Sequence, residues 1–229
     1  ASPLARTLRW GDRTIGNRIA VQPMEGWDAL PDGNPSEDVF RRWRRFGESG
    51  AKLIWGGEAV AVRADGRANP RQLVISDRTR DGLARLREAL VESHRETAGA
   101  AEGLVVGLQL THSGRFSRPR ARDRSEPRIA FRHPLLDRRV GVASDEAVLT
   151  DAQVRDLVGA YHDAATIAAA IGFDFVDVKQ CHRYLLSELL SAKTRDGEYG
   201  GSYENRTRLA RNVIARIRDE LGDRILLAT

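Results

Sequence analysis

Phe173-Asp174-Phe175-Val176-Asp177-Val178 is a short apolar run that ends on Lys179, with His182 and Tyr184 close behind. Leu104–Leu110, LVVGLQL, is built the same way, carrying Gln109 near its end and His112 just after it. Runs of this length, rich in β-branched residues, read as buried strands. Working outward, Ile19–Gln22 precedes Glu25, Lys52–Trp55 runs into Gly56-Gly57-Glu58-Ala59-Val60, and Arg224–Ala228 makes a fifth run.

Helical periods fill the intervals. Ser36 is a candidate N-cap, after which Val39, Phe40, Trp43 and Phe46 recur at three and four residues until Gly50. Asp77–Thr97 places Leu83, Leu86, Leu90 and Val91 on one stripe. Thr150-Asp151-Ala152-Gln153 has the form of a capping box opening a helix to Ile171, and a last helix is expected from about Glu204 to Leu221. The βα alternation predicts a parallel sheet covered by helices, either doubly wound or closed into a barrel. No Gly-x-Gly-x-x-Gly follows the first strand. Instead polar groups stand at the carboxyl end of successive strands: Glu25, then Glu58, then Gln109 and His112, then Lys179 and His182. Only a barrel brings all these ends to one face. The expected class is α/β, a (βα)8 TIM barrel of which this chain carries strands 1 to 5 only.

Composition narrows the function classes. The 229 residues hold 37 basic and 32 acidic groups, a formal charge of +5, with 41% hydrophobic residues and mean hydropathy −0.44. That is ordinary for a soluble protein. Apolar stretches run only a few residues between charges, and ASPLARTLRW has no apolar signal core, so neither membrane insertion nor secretion is expected and the cytoplasm is the default. One cysteine, Cys181, excludes an internal disulfide, a cysteine zinc site and an iron–sulfur cluster. No metal is expected. Segment 113–149 is an Arg- and Pro-rich excursion, too long for an ordinary connection, with nine arginines between Arg115 and Arg139. It could clamp an anionic substrate or pack on a second subunit, which leaves a homo-oligomer open. No groove-reading motif accompanies the charge, and nucleic-acid binding is not expected.

Several motifs together resemble the old yellow enzyme family of FMN-dependent oxidoreductases. They are Asn17-Arg18-Ile19 with Pro23-Met24, Glu58-Ala59, Gly107–Arg115 (GLQLTHSGR), Gly172-Phe173-Asp174, His182-Arg183-Tyr184-Leu185, and Glu198–Arg206 (EYGGSYENR). The resemblance implies FMN across the carboxyl face, with the backbone around Pro23 and Met24 and the main chain near Ala59 against the ring. Gln109 would meet the pyrimidine edge, and Glu25 stands where some relatives carry cysteine or threonine. The family commonly has His-His or His-Asn three apart, with Tyr two beyond. Here Lys179 takes the first place, while His182 and Tyr184 keep the others. By resemblance Lys179 and His182 would grip a substrate oxygen and Tyr184 would protonate the neighbouring carbon.

The implied activity is hydride transfer from NADH or NADPH, through FMN, to an activated alkene or enone as small-molecule substrate. A flavin dehydrogenase of an amine or alcohol is the alternative, and a non-catalytic barrel fragment a third reading. From the residues alone, Lys179 could equally turn to solvent or pair with Glu25 or Glu58. His112 reads as a loop anchor, Cys181 as a small buried hydrophobe, and Trp27 and Trp55 as pocket lining or core. In relatives an arginine facing the flavin follows strand five, and phosphate-binding loops follow strands seven and eight. The 229 residues hold neither, so they read as the N-terminal portion of a single, longer FMN-binding barrel domain.

Overall fold

A computed structural model describes residues 2–229. The chain opens with an antiparallel hairpin, β1 (Leu8–Trp10) and β2 (Arg13–Ile15), turning at Gly11-Asp12. The parallel strands follow: β3 (Ala20–Val21), β4 (Leu53–Ile54), β5 (Ala59–Ala61), β6 (Val105–Thr111), β7 (Phe175–Val178) and β8 (Leu226–Ala228). Their order is β3-β4-β6-β7-β8, with β5 also pairing β6. β4 and β5 are one barrel strand interrupted at Gly56 and Gly57, both at positive φ. Five parallel barrel strands result, as expected: the fold is the first five strands of a TIM barrel.

The helices α1 (Glu37–Glu48), α2 (Arg80–Ala98), α4 (Asp151–Ala170) and α6 (Tyr203–Leu221) cover one side of this sheet. Their starts follow the expected chemistry. Ser36 Oγ accepts from the Val39 amide, and Thr150 and Gln153 form the reciprocal capping box. Two shorter helices, α3 (Pro134–Val140) and α5 (Leu185–Leu190), lie in stretches expected to be loops. Among the described residues no helix is long and apolar enough to cross a membrane.

Strand alternation sorts the core into two compartments. Val106, Leu108 and Leu110 of β6 and Val176 and Val178 of β7 face the helices in the main cluster. Val105 and Phe175 face the barrel interior, where Ile15, Trp10 and Trp55 pack with them. Trp10 stacks on Trp55 at 5.6 Å and meets Phe175 edge-on at 4.8 Å, so the hairpin plugs the amino end of the sheet. A side chain at Gly107 would stand 2.2 Å from the Phe175 ring, which is why that strand position is glycine. On the interior face, the residues that follow toward the carboxyl end are polar: Gln109, Asp177 and Lys179.

Candidate active site

Gln109 and Asp177 are register partners on β6 and β7, both buried. The Gln109 amide donates to Asp177 Oδ2 at 2.6 Å, and Trp55 Nε1 donates to the same oxygen at 2.9 Å. Gln109 is thereby held in one orientation. Ala59 is its register partner on the other side, with its carbonyl accepting from Gln72 Nε2 at 2.9 Å. A Cβ at Gly56 would sit 2.8 Å from the Gln109 backbone nitrogen and 3.3 Å from Pro23 Cβ. Pro23, Gly56 and Gln109 therefore converge on one patch. Met24, next to Pro23, is exposed.

Lys179 lies two residues beyond Asp177 on the same strand face, roughly 6–7 Å further along. Its side chain is 3% exposed, and Nζ donates to Glu25 Oε1 at 2.9 Å. Of the open readings, pairing with Glu25 is the one the fold adopts. Glu58, the other carboxylate considered, is occupied elsewhere: it accepts from the Gly26 amide at 3.1 Å and from Arg42 Nη2 at 2.7 Å. Arg42 also grips Asp28, so Glu58 and Arg42 tie the β3–α1 turn from behind. Desolvation pushes the Glu58 pKa up to about 7 in spite of Arg42.

Glu25 is the hub of the cluster. Its Oε2 accepts from the Tyr184 hydroxyl at 3.0 Å and from Trp27 Nε1 at 3.0 Å. Lys179 Nζ stands 4.5 Å from the Tyr184 ring centroid, close enough for a cation–π contact. Burial, then the negative charge of Glu25, raises the Tyr184 pKa, which keeps its phenol protonated. His182 is exposed, with its ring 6.1 Å from that of Tyr184. Trp27, His182 and Tyr184, together with Ala68, Phe116 and Arg118, line a cleft of about 260 Å³. Among the described residues three non-glycine positions have positive φ: Trp27, His182 and Arg183. Trp27 and His182 line this cleft, and Arg183 follows His182 directly. Such backbone costs on the order of 1–3 kcal/mol per residue and concentrates where geometry serves chemistry.

Cys181 is exposed, which corrects its reading as a small buried hydrophobe. β7 ends at Val178, so the chain has left strand alternation before it reaches Cys181, and the left-handed turn at His182 and Arg183 follows directly. His112 is the loop anchor expected of it. Burial lowers its pKa to about 4, its Nδ1 accepts from the Gly114 amide at 3.1 Å, and its carbonyl receives the Leu185 amide at 3.1 Å. Trp27 lines the cleft, whereas Trp55 joins the interior plug and orients Asp177. Asp177, Phe116 and Arg118 were not singled out from sequence. An aspartate two residues before Lys179 in an otherwise apolar strand is the signal that could have found the first.

A model of the NADH:flavin oxidoreductase / NADH oxidase family matches residues 4–228. The chain belongs to that family, one of FMN-dependent oxidoreductases that use NADH or NADPH. An NADPH dehydrogenase of Geobacillus sp. (strain WCH70) is 31% identical over 216 residues, covering 90% of this chain and 56% of that protein. The chain thus spans about half the length of the relatives it matches. Among solved structures, a 2-naphthoyl-CoA reductase superposes with a TM-score of 0.80 at 18% identity, covering 98% of this chain and 34% of that one. An old yellow enzyme homologue from Zymomonas mobilis gives 0.76 at 24% identity, covering 99% of this chain and 62% of that one.

Proposed function

We propose that residues 1–229 belong to the N-terminal portion of a single FMN-binding barrel domain that carries hydride from NADH or NADPH to an activated alkene or enone. The observation that carries this reading is the alignment, on one barrel face, of the fixed Gln109 amide with the Lys179–Glu25–Tyr184 cluster above it. The patch at Pro23, Gly56 and Gln109 fits a flavin. A side-chain amide donates and accepts together, as the alternating C=O and N–H edge of the ring requires, and Gly56, at φ +88, lets its main chain pass close to the Gln109 backbone and Pro23. Met24 and the main chain near Ala59 would complete the contact, with Glu25 at its border. FMN, when bound, supplies the hydride.

The chain's own residues do the rest. Lys179 and His182 bind the substrate oxygen, and the lysine ammonium stabilises charge developing there in a site with little water. Tyr184 holds the proton destined for the neighbouring carbon, and its raised pKa keeps that proton in place until the carbon becomes basic. Arg118 and Phe116 bound the entrance. The substrate is a small molecule and the site of action the cytoplasm.

A flavin dehydrogenase of an amine or alcohol is the second reading. Glu25 favours it by offsetting the lysine charge that would otherwise repel an ammonium. The full-length protein separates the two. Flavin absorbance on purification, anaerobic bleaching by NADPH or NADH, and recovery of colour with 2-cyclohexenone support ene reduction. Bleaching by amines or alcohols with no response to the enone supports the dehydrogenase. A colourless protein that takes up no FMN contradicts both.

A further inference from the structure

We infer that Glu25 is a specificity-determining residue that sets the charge class of the substrate, so that the cleft takes a neutral carbonyl compound and discriminates against phenolates and other anions. The inference deepens the function proposed above and rests on it.

Lys179 and Glu25 are both nearly dry, with side chains 3% and 9% exposed, and their charged atoms lie 2.9 Å apart. At that distance and burial the pair acts as a dipole with no net charge. A neutral carbonyl oxygen asks only for a donor, and a lysine ammonium has three N–H groups, one of which goes to Glu25. An anion asks for net positive charge. Here it would have to share the ammonium with a carboxylate, and like charges so close repel.

Other charged groups lie near the pair: the buried Asp177 carboxylate, two residues before Lys179, takes only the neutral donors Gln109 and Trp55 and adds negative charge, and Arg67, next to Ala68, is held by the carbonyls of Pro31, Pro70 and Gln72. Behind the turn Arg42 is shared by Glu58 and Asp28, one cation against two carboxylates, so this group offers an anion no positive charge. Arg118 stands exposed at the rim, where water and salt screen it. The Glu25 carboxylate is also fixed in place. Trp27, held at φ +54, donates its indole N–H to one oxygen, and Tyr184 donates to the same oxygen. An arriving anion cannot push it aside without breaking three contacts.

The test is a titration of the flavin-loaded full-length protein with para-hydroxybenzaldehyde, read by long-wavelength flavin absorbance and by calorimetry. The parent is expected to bind the phenolate weakly. Glu25→Gln is expected to bind it at least about tenfold more tightly, because the phenolate becomes the counter-ion of Lys179 in place of the carboxylate. Lys179→Met is expected to bind at least about tenfold more weakly than the parent, and the double variant to fall near the parent. The KM for neutral 2-cyclohexenone should move less than the phenolate affinity in Glu25→Gln. Glu25→Ser, which removes the charge without filling the turn, carries the same expectation should the glutamine variant fold poorly. Unchanged or weaker phenolate binding in flavin-loaded Glu25 variants overturns the inference alone. A parent that binds no flavin overturns the underlying reading and the inference with it.

Discussion

Two buried charge clusters sit at the carboxyl end of this sheet, and they are built on opposite plans. In one, every side-chain nitrogen of Arg115 has a partner. Its Nε donates to Glu188 Oε1 at 2.7 Å, Nη2 to the Phe131 carbonyl at 2.6 Å, and Nη1 to Asp137. The carboxylates are saturated in turn: Asp137 takes Arg132 Nε at 2.6 Å, and Glu188 takes the Ala130 amide at 3.3 Å. In the other cluster Lys179 makes one ion pair, beside residues of strained backbone, and its neighbours line a cleft. The first pins the arginine-rich excursion to α5. The second keeps donors in reserve beside a space. A buried charge with every nitrogen committed is architecture, while one with hydrogens to spare at a cleft is available for chemistry.

Breaking the saturated cluster should cost the most stability. Arg115→Met leaves the buried Glu188 without its cation and Asp137 with Arg132 alone, and urea denaturation should show a loss of about 3–5 kcal/mol. A loss under about 1 kcal/mol would mean the network is dispensable. The next effect is a pH dependence. Desolvation raises the Glu188 pKa from 4.5 to about 7 in spite of Arg115, so the folded state binds this proton more tightly than the unfolded one. The stabilisation is fully present below pH 4.5 and is lost as pH rises to about 7. Glu58 acts in the same direction, while His112, lowered to about 4, opposes both. Comparing Glu188→Gln with its parent isolates one group: from pH 4.5 to 7 the difference should shift toward the variant by up to about 3 kcal/mol. A difference that does not change with pH would contradict the assignment.

At the cleft the expected stability effects are smaller. Tyr184→Phe removes one hydrogen bond to a carboxylate and should cost about 1 kcal/mol, measured by the same denaturation. Arg120 pairs with Glu126 at the surface of the excursion. Arg120→Ala should leave the melting midpoint unchanged, since exposed ion pairs contribute little.

The strands and long helices were legible because their signals are local. Apolar runs, stripes at helical spacing and the Ser36 and Thr150 caps each act within a few residues. The β1–β2 hairpin was missed because three-residue strands show no periodicity, although Gly11-Asp12 between them is a recognised turn pair. α3 carried a signal too, with Pro134 in its first turn and Gly141 beyond its last. α5, six residues reading LLSELL, is too short to show a helical stripe. The candidate site was half legible. Lys179, His182 and Tyr184 share one motif, but the partner of Lys179 stands 154 residues away in sequence. Two carboxylates were open to it, and only the fold shows that Arg42 and the Gly26 amide already hold Glu58.

Whether the cleft cluster performs chemistry is read from rapid-mixing kinetics of Tyr184→Phe in the flavin-loaded full-length protein. Flavin reduction by NADPH and flavin reoxidation by 2-cyclohexenone are timed separately. Only the second needs a proton delivered to carbon, so its rate should fall by about 10²-fold or more while the first changes little. Equal slowing of both steps, or of neither, would make Tyr184 a packing residue and leave the cluster without a proton donor.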